Sequence, residues 1–464
     1  MSILALDLGT SSVRGLVLDD RLEPVPGALA RRKAVLSVDD DGTATLDAAA
    51  YRASLGQCLD ELAAGGWLDG VATVAVSAQW HSIVPVGSDG EPLGPVLTWG
   101  DTRPAVLPGA VGPADEEAFH QRTGTWWHRF YWTVRVPWLR ERCGSRPSGF
   151  LGLAEFVLGG LLQEMPMSVS QASGTGLLDL AALTWDDEAV AVAGLRPGEA
   201  PRLAGQDWRG TLRPEFAGRW PALRAARWTA PVGDGAASNI GTGCVDERRA
   251  AVTVGTSSAV RLVQSVAAGV ALPPLPGSLW RYRVDHDRIV TGRAYSAGGN
   301  LFQWANGQLR LPRGEELEAA LSAVTPGRGV RADPRLGGDR PPGTAPAGSG
   351  VLSGIGLATT AVDLLAALMD GVCRMVADDL TVLESTVGAP VEVVLGGGAV
   401  AASPWWRGAF QAALAPRSVS YVSNPEVGAI GAALLASGRS ADVGRTDDAT
   451  SPTSAVRSRP LHRS

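Results

Sequence analysis

The stretch ILALDLGTSSVRGLVLD, residues 3–19, holds two runs of alternating apolar residues on either side of Gly-Thr-Ser-Ser. The same tetrapeptide returns in AAVTVGTSSAVRLV, residues 250–263, again between two apolar runs. Period-two alternation with a glycine-led turn predicts strand, tight turn and strand in both places. Hydroxyl and backbone N–H groups gathered at such a turn form a site for a phosphate-sized anion. One copy alone is equally explained as a good turn, whereas two copies in matching contexts predict two similar domains that face a shared nucleotide.

Length and composition limit the class of protein. With 464 residues the chain is too long for one ordinary hydrophobic core, so at least two domains are expected. Hydrophobic residues make up 45% and charged residues 19%, which is typical of a water-soluble globular protein. No run approaches about 18 uninterrupted apolar residues, and Asp7 interrupts the only N-terminal apolar segment, so neither a transmembrane helix nor a signal peptide is predicted. The net charge of −6 argues against a general nucleic-acid binder.

The positions of the cysteines and the scarcity of lysine limit the kinds of site that the chain can form. The four cysteines lie far apart and show neither paired nor metal-ligand spacing, which favours a reduced, cytoplasmic enzyme. Lys33 is the only lysine in the chain, and the pattern GxxxxGK[ST] is absent. No lysine is therefore available as a P-loop phosphate ligand.

The pattern of apolar strand, glycine-rich turn, helix and hairpin restarts close to residue 230. This restart predicts an N-terminal domain over 1–229 and a C-terminal domain over 230–439, each with one of the two hairpins. Residues 440–464 are rich in Ser, Thr, Asp and Arg and have few apolar positions, so they are predicted to form a disordered tail.

Apolar periodicity and capping residues predict the main elements of both halves. The first half is expected to contain an amphipathic helix over 45–64 with Asp47 as its cap, a strand over 71–77 and a hairpin over 83–99. In the second half a Gly-, Pro- and Ala-rich loop is expected over 333–350. Further helices are predicted at 113–121, 150–163, 361–386 and 404–415, and one more opens at Trp185-Asp186-Asp187-Glu188.

Four short motifs accompany the two hairpins: Gln79-Trp80-His81, Trp99-Gly100-Asp101-Thr102-Arg103, Gly233-Asp234-Gly235 and Gly396-Gly397-Gly398. Together with Asp7 and the two Gly-Thr-Ser-Ser turns, they resemble the substrate, catalytic, adenosine and phosphate motifs of FGGY-type carbohydrate kinases, a family of the actin-like ATPase superfamily. The resemblance runs from about residue 3 to residue 437. It implies an α/β fold of two ribonuclease-H-like domains, with the active site in the cleft between them.

Three positions depart from the family pattern. Trp80 stands where methionine is usual, and Arg135 stands where the first family signature usually has lysine. The segment Gly338-Asp339-Arg340-Pro341-Pro342 replaces the usual Gly-Glu-Arg-x-Pro loop, and the stretch after it is shortened. This last departure predicts altered closure of the cleft, with shifted specificity or reduced activity as the consequence.

The resemblance implies roles for two aspartates. Asp234 is the base that accepts the proton of the sugar hydroxyl during phosphoryl transfer, and the glycines on both sides leave its carboxylate open to a reacting group. Its alternative role is to cap the following helix, and the two roles are compatible. Asp7 is implied to hold Mg²⁺ directly or through water, since Mg²⁺ needs few protein ligands. Its alternative role is to cap the turn.

The resemblance places ATP against both hairpins and the triple glycine. The triple glycine follows the strand 391–395 and lets the backbone approach the adenosine, with the next helix as a wall. The residues implied to bind the nucleotide or its phosphates are Gly9, Thr10, Ser11, Ser12, Gly255, Thr256, Ser257, Ser258, Gly396, Gly397 and Gly398.

Gln79 and His81 are implied to hydrogen-bond the sugar, with a structural histidine as the alternative. Trp80 either stacks on the sugar or fills the core, and the sequence does not separate the two. The run Trp126-Trp127-His128-Arg129 either walls the sugar site or packs against the domain. If the substrate carries a carboxylate, Arg103, His128 and Arg129 are the nearest partners by motif position, with placement on the surface as the alternative.

Within the family, several segments are most similar to gluconokinases: WHSIVPVGSDGEPLGPVLTWGDTR (80–103), RTGTWWH (122–128), QASGTGLLDL (171–180), TWDDEAVAVAGL (184–195) and GDGAASNIG (233–241). They imply phosphorylation of D-gluconate to 6-phosphogluconate by ATP and Mg²⁺ in the cytoplasm. The expected partners are a small sugar acid or sugar and the nucleotide, without nucleic acid or membrane, and a homodimer is left open.

Three alternative functions remain. The first is a kinase for another polyol or ketose such as xylulose, although xylulokinases usually have Asn where this chain has Gly235. The second is a catalytically weak regulator that binds sugar or nucleotide, suggested by the altered segment after Gly338 and disfavoured by the presence of Asp7 and Asp234. The third is a chaperone or filament ATPase of the actin-like superfamily, which the Gln-x-His motif disfavours.

Overall fold

Two large β-sheets, each flanked by helices, form the framework of the chain. The computed structural model describes residues 2–143, 146–327, 329–343 and 346–439. The segment 440–464, for which the sequence predicts a disordered tail, lies outside the described residues. Within the described ranges no helix combines the length and the apolar character needed to cross a bilayer.

The strands of the described residues are numbered in chain order. They are β1 (Ser2–Leu8), β2 (Ser12–Leu18), β3 (Pro24–Lys33), β4 (Leu36–Val38), β5 (Ala44–Leu46), β6 (Val71–Ala78), β7 (Val84–Val86), β8 (Val96–Leu97), β9 (Gly149–Leu151), β10 (Leu178–Asp179), β11 (Thr184–Trp185), β12 (Arg209–Gly210), β13 (Arg227–Thr229), β14 (Val232–Gly233), β15 (Arg249–Val254), β16 (Ser258–Ser265), β17 (Trp280–Arg283), β18 (Arg288–Tyr295), β19 (Arg331–Asp333), β20 (Val351–Ser353), β21 (Glu392–Gly396) and β22 (Val419–Val422).

The helices of the described residues are numbered in the same way. They are α1 (Ala48–Ala64), α2 (Glu116–Thr123), α3 (Trp132–Cys143), α4 (Leu153–Gly159), α5 (Val169–Ser173), α6 (Asp187–Val192), α7 (Pro214–Arg219), α8 (Asp234–Gly241), α9 (Gly299–Gln308), α10 (Glu315–Ser322), α11 (Ala361–Val387), α12 (Gly398–Ala402), α13 (Pro404–Leu414) and α14 (Val427–Ser437), with a short 3₁₀ helix at Pro221–Leu223.

The first sheet has the strand order β12-β13-β6-β1-β2-β3, and β14 also pairs with β6. Strands β1, β2 and β3 form an antiparallel meander, while β6 lies parallel to β1 and β13 lies parallel to β6. The chain passes through α1 between the meander and β6, and α1 packs against β2 and β3. The carboxyl ends of β1 and β6 therefore meet at one edge of the sheet, beside the turn after β1.

The second sheet repeats this plan with the order β17-β18-β16-β15-β21-β22. The pairs β15–β16, β16–β18 and β17–β18 are antiparallel, while β21 lies parallel to β15 and β22 lies parallel to β21. In both sheets an antiparallel meander continues into two parallel strands, which is the arrangement of a ribonuclease-H-like domain. The fold predicted from the sequence is confirmed. Both predicted hairpins are present, the first as β1 and β2 and the second as β15 and β16.

Capping residues set the ends of the long helices. The Ala50 N–H donates to the Asp47 carboxylate at 2.7 Å, so Asp47 caps α1 as predicted. Thr360 and Asp363 form a capping box at the start of α11, and Gly388 ends it with φ 71°. The helices predicted over 45–64, 361–386 and 404–415 are confirmed to within a few residues as α1, α11 and α13.

Of two shorter predictions, one is confirmed and one is wrong in detail. The segment 83–99 forms the predicted hairpin, since Ile83 and Leu97 exchange backbone hydrogen bonds of 3.0 and 2.9 Å across its two arms, and its short strands β7 and β8 also pair with β9 and β5. The segment 150–163 is not one helix, because its first residues belong to β9 and only 153–159 form α4. In both cases the strand partner is distant in sequence, so local alternation could not reveal it.

The last described helix, α14, packs on the first sheet although it follows the second sheet in the chain. Its alanines at 429, 432 and 433 pack with Ile3 and Ala75. The change from one sheet to the other falls between β14 and β15, and both β13 and β14 pair with β6. The domain boundary placed near residue 230 stays a prediction.

Helices α8 and α14 cross at two glycines, and this contact allows a test of packing. A Cβ at Gly431 would overlap the Ala237 carbonyl of α8, and a Cβ at Gly241 would overlap the Val427 carbonyl of α14. We expect Gly431→Ala to lower the free energy of unfolding by about 1–3 kcal/mol, the usual cost of overpacking. The measurement is the midpoint of urea unfolding.

A matched glycine-to-alanine change serves as the control for this prediction. Gly408 lies inside α13, where an added Cβ meets no atom within 4 Å. Gly408→Ala should therefore stabilise the protein by about 0.5–1 kcal/mol, because glycine loses more backbone entropy in a helix than alanine does. Equal midpoints for the two variants would show that the helix crossing tolerates a side chain.

Candidate active site

Asp234 lies where the first sheet ends. Strand β14 pairs with the last residues of β6, Val232 with Ser77 and Gly233 with Ala78, and Asp234 then opens α8. Gly233 is the N-cap of α8, so capping is not the role of Asp234. Its Oδ1 accepts the Gly235 N–H at 2.8 Å. Burial raises the pKa of the Asp234 carboxyl, against the opposing effects of the Arg261 guanidinium and of the Gly235 N–H.

Trp80 supports the turn that carries Asp234. A Cβ at Gly233 or at Gly235 would overlap the Trp80 indole, so both glycines flanking Asp234 are needed for this contact. The Trp80 Nε1–H donates to the Ser170 carbonyl at 2.9 Å, and the side chain is 5% exposed. Of the two roles that the sequence left open, packing is therefore realised, and the indole also lines the cavity above Asp234.

A cavity of about 180 Å³, which we call the smaller cavity, opens beside Asp234. It is smaller than the roughly 300–1,000 Å³ of a drug-sized site, so it suits a small substrate. Aromatic side chains form most of its wall, and two of their hydroxyl groups, those of Tyr131 and Tyr282, lie 2.9 Å apart. The aromatic residues of this wall are Trp80, Trp99, Phe130, Tyr131, Trp280 and Tyr282.

His81 presents a neutral imidazole to the smaller cavity. The Gly174 carbonyl lies 2.6 Å from Nδ1, which therefore carries the proton and leaves Nε2 as an acceptor. Burial lowers the pKa of His81 to about 3, with smaller contributions from Arg135 and Arg340 in the same direction. Its backbone adopts φ 65°, a left-handed conformation that is unusual for a residue other than glycine and is enriched at functional sites.

Arg135 supports the backbone around His81 through hydrogen bonds. The fully buried guanidinium donates to the Arg129 carbonyl at 3.0 Å, to the His81 carbonyl at 2.6 Å and to the Asp101 carbonyl at 3.3 Å. A lysine has a single nitrogen and could not reach three carbonyls in this planar arrangement. The arginine that departs from the family pattern therefore positions the backbone of His81.

Gln79 links the sugar motif to the first hairpin. The Thr10 hydroxyl donates to the Gln79 Oε1 at 3.0 Å and accepts the Trp99 Nε1–H at 3.0 Å. Gln79 is fully buried, its Nε2 has no partner among the described residues, and it does not line the smaller cavity. Its predicted contact with the sugar stays a prediction.

Each Gly-Thr-Ser-Ser turn is closed by a hydrogen bond from the N–H of its glycine, but the acceptor residue differs between the two copies. The Gly9 N–H donates to the Ser12 carbonyl at 3.1 Å, and the Gly255 N–H donates to the Ser257 carbonyl at 2.9 Å. The last serine of each copy already has a hydroxyl partner. Ser12 accepts from Arg14 at 3.1 Å, and Ser258 donates to the Ala297 carbonyl at 2.6 Å. The exposed hydroxyl groups of Ser11 and Thr256 are free to meet a ligand.

A second cavity, of about 900 Å³, also borders the second hairpin, and we call it the larger cavity. Gly255, Thr256 and Gly398 line it, together with apolar side chains that include Phe302 and Trp406. Gly397 has φ 106°, and a Cβ there would overlap the backbone of Val254, so only glycine fits. Gly396 ends β21 and Gly398 begins α12, so the triple glycine turns the chain at the edge of this cavity.

Asp7 stands at the carboxyl end of β1, next to Arg14 on β2 and Ser77 on β6. Burial raises the pKa of Asp7 to about 6, even though Arg14 acts in the opposite direction. A cation would offset the cost of burying this carboxylate. No cluster of three metal-ligating side chains occurs among the described residues, which is compatible with Mg²⁺ because Mg²⁺ keeps several of its waters.

The three predicted partners for a substrate carboxylate lie outside the smaller cavity wall. Arg103 is held by Asp101 through two hydrogen bonds of 3.0 and 2.6 Å. His128 accepts the Phe130 N–H at 3.2 Å, and burial lowers its pKa to about 4. Arg129 is exposed. Their roles in substrate binding stay predictions.

Two arginines that sequence reasoning did not assign to the site line the smaller cavity instead, namely Arg261 and Arg340. Ser257 of the second hairpin and His81 are the other polar residues beside Asp234. A weak signal for Arg261 was present, since an arginine follows each Gly-Thr-Ser-Ser, two residues after the first copy at Arg14 and three after the second at Arg261. Arg340 lies in the segment that departs from the family loop, but nothing in the sequence placed it beside Asp234.

Two ribonuclease-H-like sheets, each with a phosphate-type hairpin, and a carboxylate that lines the smaller cavity define a class of protein, the two-domain phosphotransferases. Comparison with known families agrees with this class. The profile described as "FGGY family of carbohydrate kinases, N-terminal domain" matches residues 2–241, and the C-terminal domain of the same family matches residues 250–438. The chain therefore belongs to the FGGY family of carbohydrate kinases, whose members use ATP to phosphorylate small sugars.

Curated relatives and solved structures with different substrates are similar to the chain. A gluconokinase of Bacillus subtilis is 25% identical over 359 residues, covering 73% of this chain and 68% of the relative. A xylulose kinase of Klebsiella pneumoniae is 26% identical over 446 residues, covering 93% and 89%. The crystal structure of a gluconate kinase from Lactobacillus acidophilus aligns with TM-score 0.82 at 21% identity, over 96% of this chain and 91% of that one.

Proposed function

We propose that the protein transfers the terminal phosphoryl group of ATP to D-gluconate, giving 6-phosphogluconate and ADP. The observation that carries the proposal is the position of the second hairpin between the two cavities. Ser257 lines the smaller cavity, whereas Gly255 and Thr256 line the larger one. A nucleotide in the larger cavity would extend its phosphates along this hairpin towards Asp234, as phosphoryl transfer requires.

Asp234 is the proposed base. Its carboxylate takes the proton of the acceptor hydroxyl as that oxygen bonds to the terminal phosphorus, while the bond from phosphorus to the departing ADP oxygen breaks. The raised pKa of Asp234 makes the carboxylate a better proton acceptor than an exposed aspartate. The neutral His81 would accept a hydrogen bond from a sugar hydroxyl, and the aromatic wall of the smaller cavity would exclude water.

The proposal assigns Mg²⁺ to Asp7, beside the first hairpin. The half-buried carboxylate, with its raised pKa, and the small number of protein ligands fit this ion. When bound, Mg²⁺ neutralises negative charge on the phosphates during transfer. The exposed tips of the two hairpins, at Ser11 and Thr256, would supply further donors to the same phosphates.

Gluconate is the proposed substrate because gluconokinases of two Bacillus species are among the relatives of the chain. Xylulose is the second candidate, since xylulose kinase relatives of similar identity align over 93% of the chain. The two substrates differ in charge, because gluconate carries a carboxylate and xylulose carries none. A site that pairs a charged group discriminates strongly against an analogue without it, because its own polar groups are then left unsatisfied.

The test is an ADP-release assay over a panel of aldonates, pentuloses and neutral polyols. We expect kcat/KM for gluconate to exceed that for xylulose and for neutral polyols by about 10² or more. A higher value for xylulose or glycerol would refute the gluconate assignment and leave a kinase for another sugar. Binding of sugar or nucleotide without ADP release from any member of the panel would favour the regulator.

A further inference from the structure

We propose that Arg261 and Arg340 form a pair of guanidinium groups that binds the carboxylate of a sugar-acid substrate and so sets the specificity of the enzyme. The inference rests on the proposed function, for which it names the residues that recognise the substrate. The inference assigns the carboxylate to these two arginines and not to Arg103, His128 and Arg129. Motif position suggested those three residues, but they lie outside the wall of the smaller cavity.

Arg261 reaches the smaller cavity from β16, where it pairs in register with Gly292 of β18. Its side chain lies against Gly235, the residue after Asp234. The Arg261 Nε is buried and has no hydrogen-bond partner among the described residues. Burial lowers the pKa of Arg261, while the nearby Asp234 opposes this effect. A buried guanidinium donor without a partner indicates that a ligand group completes its hydrogen bonding.

Arg340 reaches the same cavity from the segment that departs from the family loop. Its guanidinium lies over the Trp99 ring, 4.4 Å from the ring centroid. Trp99 is in turn held by its hydrogen bond to Thr10 of the first hairpin. Burial and the neighbouring Arg261 lower the pKa of Arg340 to about 10. The two arginines therefore repel each other across the cavity, and the stacking on Trp99 keeps Arg340 in place.

The balance of charge favours an anionic ligand. Two guanidinium groups and the Asp234 carboxylate leave one positive charge in the smaller cavity, because His81 is neutral. Elsewhere in the chain, guanidinium groups with little exposure are satisfied by a carboxylate, as Arg103 is by Asp101, or by backbone carbonyls, as Arg135 is. Among the described residues neither Arg261 nor Arg340 forms an ion pair with a carboxylate. A sugar acid would neutralise the excess charge, whereas a neutral sugar would leave it buried.

The transferred phosphoryl group is the rival anion for these arginines. The larger cavity, where the nucleotide is proposed to bind, has no arginine or lysine among its described lining residues and includes Glu315 and Glu318. The phosphates have their own donors in the two hairpins. The arginines instead line the cavity that holds Asp234 and the aromatic wall, where the sugar would sit. This placement favours the carboxylate of the substrate as their ligand.

The test compares Arg261→Gln and Arg340→Gln with the wild type on gluconate and on neutral xylulose. We expect each variant to lose about 10² more in kcat/KM for gluconate than for xylulose, with the extra loss mainly in KM. Isothermal titration without nucleotide should show the same selective loss of gluconate binding. Arg261→Lys and Arg340→Lys keep the charge and should retain part of the gluconate preference, which separates recognition from damage to the fold.

Matched controls complete the experiment. Arg248→Gln removes an exposed arginine paired with Asp246 on the surface and should change neither substrate. Equal losses on both substrates, carried by kcat, would show that the arginines serve the transferred phosphoryl group and would overturn the inference. The inference would also be overturned if Arg103→Ala, His128→Ala or Arg129→Ala abolished the gluconate preference. In that case Arg261→Gln and Arg340→Gln would keep the preference.

The inference and the proposed function fail in different ways. If the wild type prefers a neutral sugar, the gluconate assignment is wrong. The inference survives that outcome only if sugar-acid binding, measured without nucleotide, still falls selectively in the glutamine variants. If the wild type prefers gluconate and both variants keep that preference, the function stands and the arginine pair is refuted.

Discussion

Asp234→Asn should lower turnover by about 10² or more and leave the fold and nucleotide binding intact. The amide has nearly the shape of the carboxylate, and the Gly235 N–H can still donate to its oxygen. It cannot accept the proton of the sugar hydroxyl, so only the chemical step is lost. The measurement is kcat for ADP release with saturating sugar and nucleotide, together with nucleotide affinity by calorimetry.

The chain offers a matched control for this substitution. Asp187 opens α6 as Asp234 opens α8, but it is exposed and lines neither cavity. Asp187→Asn should leave turnover unchanged. In the wild type the rate should fall as the pH drops through the raised pKa of Asp234, because the protonated acid is no base. If Asp234→Asn kept more than about a third of wild-type turnover, the assignment of the base would be wrong.

Asp7→Ala is expected to abolish Mg²⁺-dependent turnover while sugar binding stays measurable. Sugar binding should persist because Asp7 lies beside the first hairpin and does not line the smaller cavity. Removing the carboxylate takes away the proposed metal ligand without changing the residues around the sugar. The measurements are ADP release over a range of Mg²⁺ concentrations and gluconate binding by calorimetry without nucleotide.

The control is Asp20→Ala. Asp20 is an exposed aspartate that lies just after β2, the second strand of the same hairpin, so this variant should behave like the wild type. The opposite pattern, in which sugar affinity collapses and nucleotide turnover persists, would mean that the sugar and phosphate sites have been exchanged in our assignment. An unchanged requirement for Mg²⁺ with normal turnover would remove Asp7 from the metal site.

The sequence predicted the elements whose causes are local. Gly9 and Gly255 lie in turns between alternating strands, and Asp47 caps a helix through an N–H three residues away. Such contacts join near neighbours, so their residue types appear together in the sequence. The repeated hairpin also predicted the duplicated fold, because each copy is the meander that begins a ribonuclease-H-like sheet.

The surroundings of Asp234 depended on the tertiary structure. Its neighbours Trp80, Arg261 and Arg340 are separated from it by tens to more than a hundred residues, and the pairing of β6 with β14 brings Trp80 beside it. Arg103 illustrates the same limit, because its motif suggested a substrate partner whereas the structure pairs it with Asp101. A side chain's charge is read from sequence, but whether that charge is already neutralised depends on what packs against it.

Local chemistry therefore defined the two hairpins, the caps of the long helices and the resemblance to a kinase family. Packing between distant segments decided how the last helix covers the first sheet, why glycine flanks Asp234 and which arginines reach the smaller cavity. The physical reason is the distance along the sequence over which each kind of interaction acts. Turn and capping preferences act over a few residues, whereas burial, charge balance and cavity shape arise only when segments tens to hundreds of residues apart are brought into contact.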